Sequence, residues 1–321
     1  MREVFKGQLL CCLAMVLVGS TVVVSKIIGV EVEPFLATAM RHALALPVFL
    51  LLMRVKGERL PRVGARDAAL LLVQAAAGSV GYTVLLLQGV VLAGAANAGI
   101  VTGTLPAVAA LFAVLFLGER PGWRLGLAIA LAALGVVVVT LPSGDAPALD
   151  GQRLKGIALV MGAVACEAVF ILANKRLSRP VPALALSTLM CAGGLLLSVG
   201  PAWLVAGPAP LVIATPALLG IVYYAWVPTV LGFLLWYAGS ARTSGARASL
   251  ATAWLPVSAM LLSALCLAEP ISAWQGLGLG CVLLAMGMAT SGASTQAATG
   301  DRATKNSRGK ASSRLPSARG G

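Results

Sequence analysis

Three ionisable side chains interrupt otherwise apolar stretches of this chain: Arg41, His42 and Glu167. A charge at the centre of a membrane-spanning helix costs roughly 2.5–3.5 kcal/mol on insertion scales, so each needs a partner, a wet cavity or a function. Glu167 lies well inside the apolar segment 156–173, about 17 Å along a helix at 1.5 Å per residue, and shares a face with Ala163, Phe170 and Asn174. A carboxylate at that depth is protonated, paired with a cation or open to a cavity. Two readings follow for it: a proton site or cation-binding group, and a fixed brace paired with Arg41. Arg41 lies about 11 Å into the segment that starts at Pro34. It reads either as an anchor for a substrate anion or as a structural side chain that snorkels outward. His42, the only histidine, points about 100° away from Arg41 around the helix and reads as a packing or hydrogen-bonded group. One histidine cannot build a typical zinc site.

Other polar groups are milder. Tyr223 and Trp226, three residues apart among Tyr224, Phe233, Trp236 and Tyr237, have the spacing to stack on an apolar or cationic solute. Pro228, amid them, is placed to kink the helix and free a carbonyl toward a cavity. Asn97, Val101 and Thr104 share one helical face, and Ser249 and Thr252 another. Such small polar residues either hold helices together or line a path. The six cysteines all fall in apolar segments without metal-type spacing and read as packing residues. The sequence carries no nucleotide-binding loop and no Ser-His-Asp set. No cofactor, no metal and no enzymatic reaction are therefore expected.

Composition sets the elements that must position these groups. The chain of 321 residues is 59% apolar and 11% charged, with a mean hydropathy of +0.93; a soluble domain carries about 25% charged residues. Ten stretches reach the ~20 apolar residues that cross a bilayer: approximately 7–25, 34–53, 68–90, 95–117, 124–141, 156–173, 181–206, 216–239, 248–267 and 272–291. Backbone in lipid must satisfy its own hydrogen bonds, so these are predicted helices; the alternating ~10-residue segments of a β-barrel are missing. The first stretch has a basic start but no small-residue cleavage site, and is kept as a helix.

The net charge of +13 suggests nucleic acid until its placement is read. With the N-terminus in the cytoplasm and the loops alternating, 20 of the 24 basic residues fall inside; Lys26, Arg153 and Lys155 fall outside and Arg41 within a helix. That bias puts both termini in the cytoplasm and leaves no case for a nucleic-acid partner.

The chain also repeats itself. Pro106 and Glu119 recur as Pro256 and Glu269, Gly81-Tyr82 as Gly232-Phe233, Lys6-Gly7 as Lys155-Gly156, and Lys26 as Lys175. The expected fold is an all-α integral membrane protein built of two five-helix repeats, 1–145 and 146–290, followed by a disordered basic cytoplasmic tail, 291–321. Five is odd, so the second repeat is inverted relative to the first, a ground plan of secondary transporters. The symmetry breaks at the charges: Leu189 or Met190 stands opposite Arg41, and Val18 opposite Glu167. Gly99-x-x-x-Gly103, Gly122-x-x-x-Gly126 and Gly276-x-x-x-Gly280 permit close helix contact and leave a homodimer open.

Taken together, Pro106 with Gly118-Glu119-Arg120, Pro256 with Ala268-Glu269-Pro270, and Pro34 followed by Arg41 give an order and spacing that resembles EamA-type transporters of the drug/metabolite transporter superfamily over about residues 7–290. The second copy departs from the pattern at the Gly and the Arg of the turn. The resemblance implies an inner-membrane carrier, often an exporter of amino acids, metabolites or amphiphilic compounds. It also implies a central cavity among helices 1–4 and 6–9, with helices 5 and 10 peripheral. The Glu of the turn reads as a helix-end cap. Small multidrug pumps of the same superfamily couple protons through a membrane Glu in their first helix, a position that Glu167 occupies in its repeat.

The functional expectation is a secondary transporter in the lipid bilayer, working on a small-molecule substrate by alternating access. Candidate substrate or coupling-ion residues are Glu167, Arg41, Asn97, Thr104, Tyr223, Trp226 and Thr252, with protons as one coupling ion. The alternative is a transport-inactive scaffold or sensor acting through its basic tail.

Overall fold

The computed structural model describes residues 2–118, 123–141, 151–206, 213–243, 248 and 250–288. The turn residues Glu119 and Arg120, Gly122, Ser249 and the tail 291–321 lie outside the described residues. Everything regular among the described residues is helical. α1 spans Arg2–Glu31, α2 Pro34–Lys56, α3 Ala65–Ala93, α5 Trp123–Thr140, α6 Gly151–Lys175, α7 Ala183–Ala206 and α8 Thr215–Ser240. α4 is broken into Ala95–Thr102 and Leu105–Leu117, bent by 42°. α9 covers Trp254–Leu267 and α10 Ala273–Met288. Seven of these helices are long and apolar enough to cross a membrane, eight with the bent pair, while α9 and α10 are shorter apolar helices.

The sequence explains where these helices start and stop. α2 opens with the Glu33 carboxylate accepting from the Leu36 N–H at 2.8 Å and with Pro34 in its first turn. It ends on Gly57 at φ 65°, with Arg54 and Lys56 in its last turn against the negative end of the helix dipole. α4 breaks at Gly103 and Thr104 because Pro106 has no N–H for the Thr102 carbonyl and its ring crowds that residue. Thr252 and Ala253, before Pro256, form the same break ahead of α9. The sequence reading takes both proline segments as unbroken spans; the missing donor is why they are not.

Lipid gives helices little hydrophobic reason to associate, so small residues and close packing carry the assembly. α3 meets α6 where Gly89 faces Gly156: a Cβ on Gly89 would stand 2.9 Å from the Gly156 carbonyl oxygen. α5 meets α10 in the same manner at Gly135 and Gly278. The largest buried cluster joins α1, α3, α4, α5, α6, α9 and α10 through residues such as Val22, Leu86, Ile100, Val139, Val160, Ala259 and Val282.

Two features bear on the site. α3 and α8 each contain a π-helical segment, Ala75–Gly81 and Ala225–Leu231, and a shift of 150 residues carries one onto the other. On that register Cys191, rather than Leu189 or Met190, stands opposite Arg41. In α8 the cause is Pro228, which cannot donate to the Tyr224 carbonyl; Thr229 Oγ1 donates to it instead at 2.8 Å. The expected kink at Pro228 is thus a widened turn. Secondly, the two repeats touch at opposite ends of α4. Glu269, before α10, reaches the Ala95 end, and Arg176, after α6, donates to the Phe116 carbonyl at 2.6 Å.

Candidate functional site

The site is built around Arg41. Its Nη2 donates to Thr83 Oγ1 at 2.8 Å and to the Ser79 carbonyl at 3.3 Å, both on α3. Its Nη1 reaches Thr229 Oγ1 on α8 at 3.4 Å, and the guanidinium lies 4.6 Å from the centre of the Tyr224 ring. One cation from α2 therefore bridges the two π segments. It does not snorkel.

His42 holds this cation in place. Its Nδ1 meets the Thr38 carbonyl at 2.8 Å, and a carbonyl only accepts, so Nδ1 carries the proton. Nε2 is then free to accept from Arg41 Nη2 at 3.2 Å. The ring is buried and packs on Gly194 of α7, where a Cβ would come within 2.7 Å of it. The hydrogen-bonded reading of His42 holds, and its role is to orient Arg41.

Among the described residues no carboxylate lies within ion-pair distance of Arg41, and Glu167 is within its electrostatic reach. The ion pairs among the described residues are Lys6–Glu3, Lys26–Glu269 and Arg242–Glu3. Arg41 Nε is buried without a hydrogen bond. Glu167 does not brace it, and its carboxylate has no hydrogen-bond or ion-pair partner among the described residues. Glu167 nonetheless belongs to the same centre, because Tyr82 lies within electrostatic reach of Tyr224, Glu167 and Arg41 together. Phe170, on the face of α6 that carries Glu167, packs against Gly78 in the first π segment.

Space around Arg41 is unequal. On the side of the α1–α2 turn, Ile28, Ala37, Leu87, Ile221 and Tyr224 leave a cavity of about 10 Å³. On the side of the α2–α3 turn a cavity of about 130 Å³ is lined by Arg41, Ser79, Ser187, Cys191, Thr229 and the Phe49–Phe233 pair, among others. The two rings meet edge to face with centroids 5.6 Å apart. This larger cavity lies between α2, α3, α7 and α8, within the helices where the resemblance places it.

The remaining candidates stand elsewhere. Asn97 donates to the Ala93 carbonyl at 2.7 Å and accepts from Gln275 Nε2 at 2.8 Å, tying α4 to α10. Thr104 is buried at the break of α4, donating to the Val101 carbonyl at 2.7 Å. Thr252 sits in the equivalent turn before α9. The Ser20 hydroxyl donates to the Leu17 carbonyl, so Tyr223 must donate to Ser20 Oγ, at 2.8 Å, joining α8 to α1. Trp226 is half exposed on the outside of α8, its Nε1 donating to the Leu44 carbonyl at 3.3 Å. The structure brings Arg41 and Glu167 within electrostatic reach of each other, uses the hydrogen bonds of Asn97 and Tyr223 to tie helices together, and uses that of Thr104 within the break of α4. Ser79, Thr83, Thr229 and Cys191 are the residues that sequence reasoning missed; the signal for Thr229 was its place directly after Pro228.

Glu269 closes the α1–α2 end. Its carboxylate accepts from the Ala95 N–H at 3.1 Å and the Ala96 N–H at 3.0 Å, and pairs with Lys26. Gly94, at φ 84°, lets the chain turn over it. Burial opposes ionisation, but the Lys26 bond and the two backbone donors outweigh it and hold the carboxyl below its usual range. The capping role expected for this Glu is what the structure shows.

A bundle of apolar helices, with a cation at its centre that has no carboxylate within ion-pair distance among the described residues and a cavity beside it, fits a membrane transporter. The chain belongs to the EamA-like transporter family, which matches it twice, over residues 5–141 and 154–291. It is 32% identical over 273 residues to the uncharacterized transporter YetK of Bacillus subtilis, covering 84% of this chain and 82% of that protein. A protein of Streptantibioticus cattleyicolor named a "probable terminal-alkyne amino-acid exporter" is 30% identical, covering 66% of this chain and 69% of its own length. An uncharacterized transporter of Archaeoglobus fulgidus is 28% identical over 268 residues, covering 78% of this chain and 87% of its own length. A solved crystal structure shares the fold with a TM-score of 0.63 at 21% identity, covering 88% of this chain and 96% of that one.

Proposed function

We propose that the protein is a secondary exporter of small organic solutes in the inner membrane, working by alternating access around the Arg41 centre. The observation that carries this reading is the unequal space on the two sides of one central cation. A central cation with room on one side and little on the other is consistent with one state of a rocking carrier.

In this reading the ten apolar stretches all cross the membrane, α9 and α10 included, with both termini in the cytoplasm. Repeats 1–145 and 146–290 are inverted. The charge bias then puts the larger cavity on the cytoplasmic side and the smaller one outside. The Lys26–Glu269 pair, capping α4, is the outer latch. Glu167 is the proton or cation-coupling group, because its carboxylate is central and unpaired. Export of small carboxylate-bearing solutes is supported by the name of the Streptantibioticus relative, named as an amino-acid exporter.

The test is pH-driven flux in proteoliposomes loaded with pooled amino acids and organic acids. Glu167→Gln removes the titratable proton while keeping size and polarity. We expect the variant to insert and fold normally and to lose gradient-driven flux at least tenfold, about 1.4 kcal/mol of coupling. Unchanged proton-driven flux in this variant would contradict the assignment.

A further inference from the structure

The larger cavity has the chemistry of a particular head group. Its lining holds one full charge, Arg41, and no acidic residue. Arg41 bridges two π segments, yet no carboxylate lies within ion-pair distance of it among the described residues. A buried charge without a close partner is costly, and Arg41 is held by hydrogen bonds with no carboxylate in ion-pair distance, so a ligand carboxylate can supply that partner. Thr229 Oγ1 beside it is already bonded to Arg41 and to the Tyr224 carbonyl, and the Ser79 carbonyl accepts from Arg41 and from Thr83. The rest of the lining is Gly78, the Ser187 and His42 side chains, and an apolar part made of Phe49, Phe233, Met190 and the Cys191 thiol. Cys191 occupies the position equivalent to Arg41 in the other repeat, so the two halves offer one charged wall and one soft wall across the same space. At about 130 Å³ the cavity is several times the ~30 Å³ that a water molecule occupies in the liquid.

We infer that this cavity binds a small apolar monocarboxylate, its carboxylate on Arg41 and its hydrocarbon against the Phe49–Phe233 pair and Met190. A guanidinium is suited to a carboxylate by charge and by its fork of donors. The lining holds no carboxylate to pair with an ammonium, so the site favours an organic acid over a zwitterion or a cation. Glu167 lies outside the lining and remains the coupling group. The inference rests on the carrier reading of the same site and names its substrate class.

Four probes with one branched tail and different head groups test it: 4-methylpentanoate, 4-methylpentanamide, 4-methylpentylamine and leucine. The measurement is equilibrium binding to the purified full-length protein, read as a concentration-dependent rise in thermal stability. We expect 4-methylpentanoate to bind most tightly, leucine more weakly, and the amide and amine not at all. Arg41→Gln should weaken 4-methylpentanoate roughly thirtyfold or more, and Arg41→Lys should recover part of that. Ser187→Leu fills the cavity without touching the cation and should also abolish the response, which keeps the test open if the Arg41 variants fail to fold. Leucine binding as tightly as the acid, equal binding of the amide or amine, or no response to any probe would overturn the inference. Solute flux in vesicles with no preference for the acid would sink this inference alone. Binding of the acid with no flux of any solute would sink the carrier reading and leave the site.

Discussion

Arg41 shows how much of a site one residue can organise. It is fixed by three elements at once: the Thr38–His42 relay on its own helix, Ser79 and Thr83 on α3, and Thr229 and Tyr224 on α8. The sequence marked it as unusual because a charge in an apolar stretch needs a reason, and it marked Glu167 for the same cause. It left open whether the two pair, since pairing depends on how α2 and α6 are turned in space. They do not. His42 depends in turn on the room that Gly194 leaves on α7. Gly194→Ala would push the imidazole away from Thr38 and Arg41, and overpacking of this kind costs about 1–3 kcal/mol. The expected result is a lower thermal midpoint for the purified protein together with weakened solute binding; unaltered binding would separate His42 from the site.

Elements carried the features that periodicity alone could not supply. Hydropathy located the apolar stretches because bilayer thickness fixes their length. It could not report the π segments of α3 and α8, because one extra residue per turn leaves composition unchanged. The breaks at Gly103–Thr104 and Thr252–Ala253 were legible in principle from Pro106 and Pro256. The capping of the Ala95 and Ala96 N–H groups by Glu269 was not, since the cap comes from the other repeat. Glu269→Gln should destabilise the protein by about 1–2 kcal/mol, in the range of lost helix caps. Because the folded carboxyl lies below its ordinary value, this stabilisation is complete above the usual glutamate range, about pH 4.3, and is lost as the pH falls through the lower folded value. The gap in thermal midpoint between wild type and variant should therefore be wide at pH 7 and close in acid. A gap independent of pH would remove the charge from the argument.

At the scale of the whole molecule, the repeat was the most legible property, because it is written as recurrent Pro, Gly and Glu positions at one spacing. The family match over both halves agrees with it. The cavity was not legible, for it forms only where four helices from both repeats meet. Its unequal sides give the account its direction. The basic tail takes no part in this scheme, so removing residues 292–321 should leave vesicle flux within twofold of wild type; a loss of flux would favour a tail-dependent role.

The central claim is that the Arg41 centre opens to one membrane face at a time. Accessibility of Ser187→Cys to a membrane-impermeant maleimide, in protein otherwise free of cysteine, measures it directly. Labelling from the cytoplasmic face of oriented vesicles is expected at rest. Breaking the outer latch with Lys26→Gln should slow that labelling and admit reagent from the outer face. Labelling from the outer face alone, or labelling unaffected by Lys26→Gln, would contradict the account.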